Sequence, residues 1–217
     1  MKNQKKAFIF DLDGVVTDTA EYHFQAWKTI ADELNVPFDR HKNEELKGVS
    51  REESFKRLLS GKVLPPDQFK SLMNKKNDLY RSFLKKLTRN DMLPGMREFL
   101  TQSRHDGFKT AIGSSSKNAA EIIERLEAND LFDSIVCGAD VPNAKPAPDL
   151  FLLAANKLNV PPEQCVVFED AYSGITAAHT AGMKAVGIGT KEALPEADLI
   201  YKNLNSVTPE QIVNLLV

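Results

Sequence analysis

The sequence is poor in the residues and patterns that mark secreted, membrane-spanning or nucleic-acid-binding proteins. It has only 2 cysteines and 1 tryptophan in 217 residues, and its formal net charge is -2. Cys137 and Cys165 lie far apart within apolar runs, which predicts small buried side chains rather than a disulfide or a metal pair. No apolar run is long enough to span a bilayer, and a net charge near zero predicts neither nucleic acid nor an anionic membrane as a partner. Because the N-terminus lacks the apolar stretch of a signal peptide, a cytoplasmic protein is expected.

What the chain does contain is an alternation of short β-branched runs and helical patterns, in a composition typical of globular proteins (42% hydrophobic, 27% charged). The predicted strands are 7–10, 109–112, 134–137, 165–168, 184–188 and 198–200. Helices are predicted at about 96–104, 118–128, 148–158, 173–181 and 209–216. Most of the strand runs are continuously apolar, as in strands covered on both faces. The expected fold class is therefore α/β, with a doubly wound, Rossmann-like parallel sheet.

About a hundred residues separate the first two predicted strands, far more than a simple crossover needs. Residues 18–90 have helical patterns throughout. Asp18 and Ser50 are each followed by a glutamate three residues later, which predicts two capping boxes, and a third helix is predicted from about 67 to 87. The predicted domains are an α/β core of residues 1–17 and 91–217 and an inserted α-helical cap of residues 18–90. Lys76 falls on the apolar face of the third helix, where a lysine is buried poorly unless it meets an anion or its amino group reaches water at the edge.

Polar side chains follow the predicted strands at the edge of the sheet where open parallel folds bind their ligands. They are Asp11, Asp13, Ser114, Lys145, Glu169 and Asp170. Carboxylates gathered this closely require a cation or protons, and their hard oxygen atoms suit Mg²⁺. Asp11 could attack phosphorus to form an aspartyl phosphate, with Asp13 beside it as the acid/base partner and Lys145 stabilising the developing charge. Each feature alone is equally compatible with a structural turn or a helix cap, and only their combination favours a phosphoryl-transfer enzyme.

Four stretches carry a resemblance to a known family: FDLDGVVTDT, the strand end at Ser114, KPAPD and FED. They resemble the four motifs of the haloacid dehalogenase (HAD) superfamily, and the resemblance covers the whole chain. The stretches TAEYHFQAWK, LKGVSRE, KND and SSSKN are similar to those of the β-phosphoglucomutase family within it. This resemblance implies an enzyme that interconverts β-D-glucose 1-phosphate and β-D-glucose 6-phosphate through β-D-glucose 1,6-bisphosphate.

The resemblance also implies roles for individual residues. Asp11 would be the nucleophile and Asp13 the general acid/base, and Asp11, Asp13 (through its carbonyl), Glu169 and Asp170 would form the Mg²⁺ site. The implied substrate-binding residues are Thr19, His23, Gly48, Val49, Ser50, Arg51, Lys76, Ser114, Ser115, Ser116, Lys117, Asn118 and Lys145. Among them, Ser114, Ser115 and Lys145 would hold the transferring phosphoryl group. Arg51 and residues 116–118 would hold the other phosphate, and His23 and Lys76 would couple cap closure to substrate binding.

Two other functions remain open at this point. A HAD-type sugar-phosphate phosphatase would share all of the core residues, so only the cap and residues 116–118 separate it from a mutase. A receiver-like signalling module would also be phosphorylated on an aspartate with Mg²⁺, but an inserted cap would hide that site from a partner. Small sugar phosphates are the expected ligands, and a monomer is the expected form because the cap occludes the site.

Overall fold

The computed structural model describes residues 6–46 and 49–216, and its centre is a parallel sheet. The strands are β1 (Ala7–Phe10), β2 (Lys109–Ser114), β3 (Ser134–Cys137), β4 (Cys165–Glu169), β5 (Lys184–Ile188) and β6 (Leu199–Tyr201). They form one 6-stranded sheet in the order β3-β2-β1-β4-β5-β6. The predicted α/β class and the six predicted strands are confirmed, with shifts of one or two residues at some ends.

The helices divide into an inserted set and a set that flanks the sheet. The inserted helices are α1 (Ala20–Glu33), α2 (Arg40–Glu44), α3 (Arg51–Leu59) and α4 (Pro66–Leu84). The flanking helices are α5 (Met96–His105), α6 (Ala119–Arg125), α7 (Asp149–Leu158), α8 (Tyr172–Thr180) and α9 (Pro209–Leu215). We call α1–α4 the helical insertion. The sequence did not predict α2, and α4 ends at Leu84 rather than near residue 87.

The order of the strands reverses at β1, which pairs with β2 on one side and with β4 on the other. The crevice of a doubly wound sheet opens at such a switch point, so the residue that follows β1 lies at its centre. Both faces of β1 are covered: Phe8 and Phe10 belong to one buried cluster and Ile9 to the other. Burying each such side chain contributes about 1.5–3 kcal/mol, which explains the continuously apolar strands.

The helical insertion has a hydrophobic core of its own, and Ala26, Tyr80 and Leu84 also pack it into one of the two clusters that flank the sheet. Trp27 stacks on Phe55 with a centroid distance of 5.6 Å, and Phe55 contacts Phe69 at 4.7 Å. Leu58 and Leu72 complete its centre.

The two predicted capping boxes do not form as expected. Thr19, not Asp18, is the N-cap of α1, and the Asp18 carboxylate accepts a hydrogen bond from the backbone N–H of Ala20 (2.9 Å). Ser50 does cap α3 by accepting from the backbone N–H of Glu53 (3.2 Å), but the Glu53 side chain bonds Arg57 instead of returning to the cap. In a complete capping box the glutamate side chain would accept from the backbone N–H of the N-cap residue, but here an arginine binds that glutamate instead. The sequence pattern does not reveal this arginine.

Both cysteines are free, Cys165 buried and Cys137 half-buried. Across residues 6–46 and 49–216, no helix combines the length and the apolarity needed to cross a membrane.

Candidate active site

The turn after β1 brings Asp11 to the centre of the crevice. Asp11 is buried (7% exposed), and its backbone N–H donates to the carbonyl oxygen of Phe168 (2.9 Å), which continues the pairing with β4. Gly14 then has a φ of 83°, in the left-handed region that favours glycine. A Cβ atom at Gly14 would lie 2.1 Å from Oδ2 of Asp170. Glycine is therefore required both for the turn and for the close approach of Asp170.

A buried lysine joins two of the carboxylates. Lys145 Nζ donates to Oδ1 of Asp11 (2.5 Å) and to Oε2 of Glu169 (2.8 Å), and its side chain is fully buried. Burial alone would lower the pKa of Lys145, but the two carboxylates outweigh it and raise the pKa above its ordinary value. Lys145 is thus a permanent ammonium group at the carboxyl ends of β1 and β4.

Glu169 is held against the first turn of α8. Its Oε1 accepts from the backbone N–H of Ala171 (3.1 Å), and burial, opposed by Lys145, raises its pKa above the ordinary value. A Cβ atom at Gly174 would lie 2.1 Å from Oε2 of Glu169, so α8 can approach the carboxylate only because it has a glycine there.

Three carboxylates form a group that could hold a metal ion. Oxygen atoms of Asp11, Glu169 and Asp170 all lie within 4.8 Å of one another. An all-oxygen set of this charge fits a hard divalent cation. The side chain of Asp13 lies outside this group and turns toward the helical insertion.

Asp13 is held by a chain of hydroxyl groups. Thr19 Oγ1 donates to Oδ1 of Asp13 and lies 3.0 Å from the hydroxyl oxygen of Tyr80 on α4. Partial burial, followed by the charge of Asp11, raises the pKa of Asp13 to about 7. The carboxyl group can therefore hold or release a proton near neutral pH, as a general acid/base must.

Lys76 is the second buried lysine, and its surroundings differ from those of Lys145. It is 1% exposed, and Nζ lies 2.8 Å from Nδ1 of His23 and over the rings of Trp27 (4.8 Å) and Tyr80 (4.7 Å). Burial and the charge of Arg51 hold the pKa of Lys76 well below its usual range, and burial and Lys76 do the same to the pKa of His23. An anion entering the cleft would favour the protonated form of this pair.

The loop after β2 is ordered by its own serines. Ser114 Oγ accepts from the backbone N–H of Ser116 (3.1 Å), and Ser116 Oγ accepts from the backbone N–H of Asn118 (3.3 Å). These bonds keep the loop open toward the crevice and lead it into α6.

A cavity of about 1500 Å³ lies between the helical insertion and the carboxyl edge of the sheet. The predicted site residues that line it are Asp11, Asp13, His23, Val49, Ser50, Arg51, Lys76, Ser114, Ser115, Ser116, Lys117, Asn118 and Asp170. Thr19, Lys145 and Glu169 do not line it and lie buried behind its wall. Gly48 lies outside the described residues. The cavity is large enough for a sugar carrying a phosphate at each end.

Sequence reasoning missed Tyr80, Asn77 and Gly174. Tyr80 is four residues after Lys76 on the apolar face of α4, where the periodicity predicts only a core residue, although a buried tyrosine hydroxyl needs a partner. Asn77 bonds Asn118 across the boundary between the insertion and the rest of the chain (3.1 Å); it lies in the stretch KND, but the resemblance gave it no role.

Comparison with known proteins agrees with this geometry. The family model described as haloacid dehalogenase-like hydrolase matches residues 8–188. The chain is 45% identical over 209 residues to a β-phosphoglucomutase of Bacillus subtilis, covering 94% of this chain and 92% of that protein. It is 33% identical over 220 residues to a phosphorylated carbohydrates phosphatase of Thermotoga maritima, covering 97% of this chain and 98% of that protein. The crystal structure of a β-phosphoglucomutase from Clostridium difficile superposes with a TM-score of 0.94 at 38% identity, covering 98% of this chain and 97% of that one. The chain therefore belongs to the haloacid dehalogenase-like hydrolase family.

Proposed function

We propose that this protein is a β-phosphoglucomutase that interconverts β-D-glucose 1-phosphate and β-D-glucose 6-phosphate through β-D-glucose 1,6-bisphosphate. One observation carries the proposal: the same cavity is lined by the carboxylate pair Asp11 and Asp13 and by two cationic side chains, Arg51 from the helical insertion and Lys117 from the loop after β2. Two phosphate-binding regions within one cavity suit a substrate whose two ends take turns at the nucleophile.

Residues 18–90 would form a cap domain over a core of residues 1–17 and 91–217.

Asp11 would act as the nucleophile. An oxygen atom of its carboxylate attacks the phosphorus at C1 of the bisphosphate, the bond from phosphorus to the sugar oxygen breaks, and an aspartyl phosphate forms. Lys145, Ser114 and the backbone of Ser115 would hold the oxygen atoms of the phosphoryl group in transit. A magnesium ion held by Asp11, Asp13, Glu169 and Asp170 would supply further positive charge to that group.

Asp13 would move the proton that each transfer requires. It donates to the sugar oxygen at C1 when that oxygen leaves, and it takes the proton of the hydroxyl at C6 when that oxygen attacks the aspartyl phosphate. A pKa of about 7 leaves both forms accessible at neutral pH. The Thr19 hydroxyl, itself bonded to Tyr80, keeps the carboxyl group oriented.

The cap would decide which acceptor reaches the phosphoenzyme. Arg51 and residues 116–118 would bind the phosphate that is not transferred, with residues 48–50 around it, because a guanidinium can contact phosphate through two N–H groups. Binding of that anion would favour a protonated pair of His23 and Lys76 and draw the insertion toward the sheet. Water would then be excluded from the aspartyl phosphate.

We further propose that the protein works as a cytoplasmic monomer on small sugar phosphates, without nucleic-acid or membrane partners. A net charge of -2 supports the absence of those two partners. A site enclosed within one chain supports the monomer.

The test is to supply β-D-glucose 1-phosphate with Mg²⁺ and a trace of the bisphosphate, and to follow glucose 6-phosphate and free phosphate together. Glucose 6-phosphate without stoichiometric phosphate is expected, and Asp11→Asn, which keeps the shape but removes the nucleophile, should show neither product. Free phosphate in place of glucose 6-phosphate would refute the mutase and favour the sugar-phosphate phosphatase.

A further inference from the structure

Two contacts join α4 of the helical insertion to the beginning of α6. Asn118 Nδ2 donates to Oδ1 of Asn77 (3.1 Å), and Arg81 Nε donates to Oε2 of Glu121 (2.7 Å). Asn77 and Arg81 are four residues apart and therefore share one face of α4. Asn118 and Glu121 are three residues apart at the start of α6. The two contacts thus form neighbouring rungs between the same two helices, which we call the α4–α6 strap.

The first contact, between Asn77 and Asn118, links a residue that lines the cavity to one that does not. Asn118 contributes to the cavity wall, whereas Asn77 lies behind it. A side-chain amide has two N–H donors and one carbonyl acceptor. With one N–H bonded to Asn77, the rotation of the Asn118 amide is restrained, and its other N–H remains for a ligand. Ordering a side chain on binding costs conformational entropy, so an amide ordered in advance binds more tightly.

The second rung holds the two helices in register. The Glu121 side chain is 21% exposed and also accepts from Nη2 of Arg125 on its own helix (3.0 Å), so the carboxylate that Arg81 meets is already fixed. A surface ion pair of this kind contributes little to stability. Its consequence is geometric, because it fixes α4 one turn away from Asn77.

We propose that Asn77 is a positioning residue for the phosphate that is not transferred. It holds the Asn118 amide in its binding orientation, and the Arg81–Glu121 pair keeps α4 where that bond can form. This inference rests on the proposed function, in which Asn118 binds the distal phosphate. It makes the distal phosphate site depend on a residue of the insertion that does not touch the ligand.

A double-mutant cycle tests the inference. Asn77→Ala should raise the KM for β-D-glucose 1-phosphate about 2- to 10-fold, the usual worth of one hydrogen bond, with a much smaller change in kcat. In an Asn118→Ala background, Asn77→Ala should raise KM no further, because its effect passes through Asn118. Asn74→Ala, an exposed asparagine one turn earlier on α4, is the matched control and should leave KM unchanged. The melting temperature of each variant shows whether it is folded.

Binding measured without turnover separates this inference from the proposed function. In an Asp11→Asn background, calorimetry with glucose 1,6-bisphosphate should show the same 2- to 10-fold loss of affinity for Asn77→Ala. If the wild-type protein released phosphate instead of isomerising its substrate, the proposed mutase activity would be refuted. If Asn77→Ala still lost affinity for glucose 1,6-bisphosphate in that case, the positioning role of Asn77 would stand. An unchanged affinity for Asn77→Ala, or an equal loss in the presence and absence of Asn118, would overturn the positioning role.

Discussion

Replacing Lys76 by methionine is expected to make the protein more stable and less active. Lys76 lies on the apolar face of α4 and is 1% exposed. In the part of the chain that the structure describes, it makes no ion pair with a carboxylate within 4.0 Å; its Nζ contacts His23 and the rings of Trp27 and Tyr80. Methionine has a similar length and no charge, so it should fill the same space.

The size of the effect follows from opposing contributions. Replacing a buried ion pair by apolar side chains of similar volume commonly stabilises by about 1–4 kcal/mol, and we take this range for the removal of the buried Lys76 ammonium. The two ring contacts and the hydrogen bond to His23 offset part of this gain, by about 1–2 kcal/mol in total. We therefore expect Lys76→Met to raise the free energy of unfolding by about 1 kcal/mol at pH 7.

The free energy of unfolding should depend on pH through Lys76, and the direction of this dependence follows from its pKa. The pKa of Lys76 in the folded state lies well below its ordinary value, so between these two values the unfolded chain binds more protons than the folded chain. The stability that depends on Lys76 is therefore lost as the pH falls toward the folded pKa and recovered as it rises toward the unfolded pKa, by at most about 1.4 kcal/mol per pH unit. Lys76→Met lacks this dependence, and its advantage over the wild type should shrink from pH 7 to about pH 9.5.

Urea unfolding of both proteins at the two pH values measures this difference. Lys75→Met is the matched control, since Lys75 is exposed on the same helix and pairs with Glu33 at the surface (2.6 Å); its effect should be near zero and independent of pH. An advantage of Lys76→Met that stays constant or widens at high pH would refute the reasoning, as would a variant less stable than the wild type at both values. The mutase rate of Lys76→Met should fall at least about tenfold, because the distal anion loses a partner.

Three further substitutions test the remaining parts of the site. Asp13→Asn should fold normally and slow the transfer by roughly 10²–10⁴ in a coupled assay for glucose 6-phosphate, and near-normal turnover would remove Asp13 from the acid/base role. Arg51→Ala should lower the mutase rate and raise the share of phosphoenzyme lost to water, measured as free phosphate per glucose 6-phosphate; an unchanged ratio would exclude the clamp. Gly174→Ala places a methyl group about 2.1 Å from the Glu169 carboxylate and should weaken the Mg²⁺ dependence of activity about 10- to 100-fold, whereas an unaltered Mg²⁺ titration would contradict the role of that glycine.

The strands and the positions of the reactive residues could be predicted from the sequence because both depend on local pattern. A run such as residues 165–168 is apolar throughout because strands of a doubly wound sheet are covered on both faces. Asp11 and Glu169 lie at strand ends, where ligands of such sheets bind. The sequence also singled out Lys76 by its place on an apolar helix face, but the structure buries it there beside His23 and two aromatic rings rather than beside an anion. The capping boxes predicted at Asp18 and Ser50 were wrong in detail. Thr19 is the N-cap of the first helix, and Arg57 binds the Glu53 side chain that would have completed the second box.

The sequence by itself determined the fold class, the family and the chemistry that the strand-end carboxylates make possible. Only the tertiary structure decided which side chains meet: Lys145 bonds Asp11 across 134 positions of the chain, and Tyr80 meets Thr19 across 61. Periodicity and motifs describe neighbours along the chain, whereas a hydrogen bond, a shifted pKa or a close approach such as that of Gly174 to Glu169 depends on how separate elements pack. The carboxylates beside β1 were therefore visible from the residues alone. The buried partners that orient them, and the strap from α4 to α6, required the folded chain.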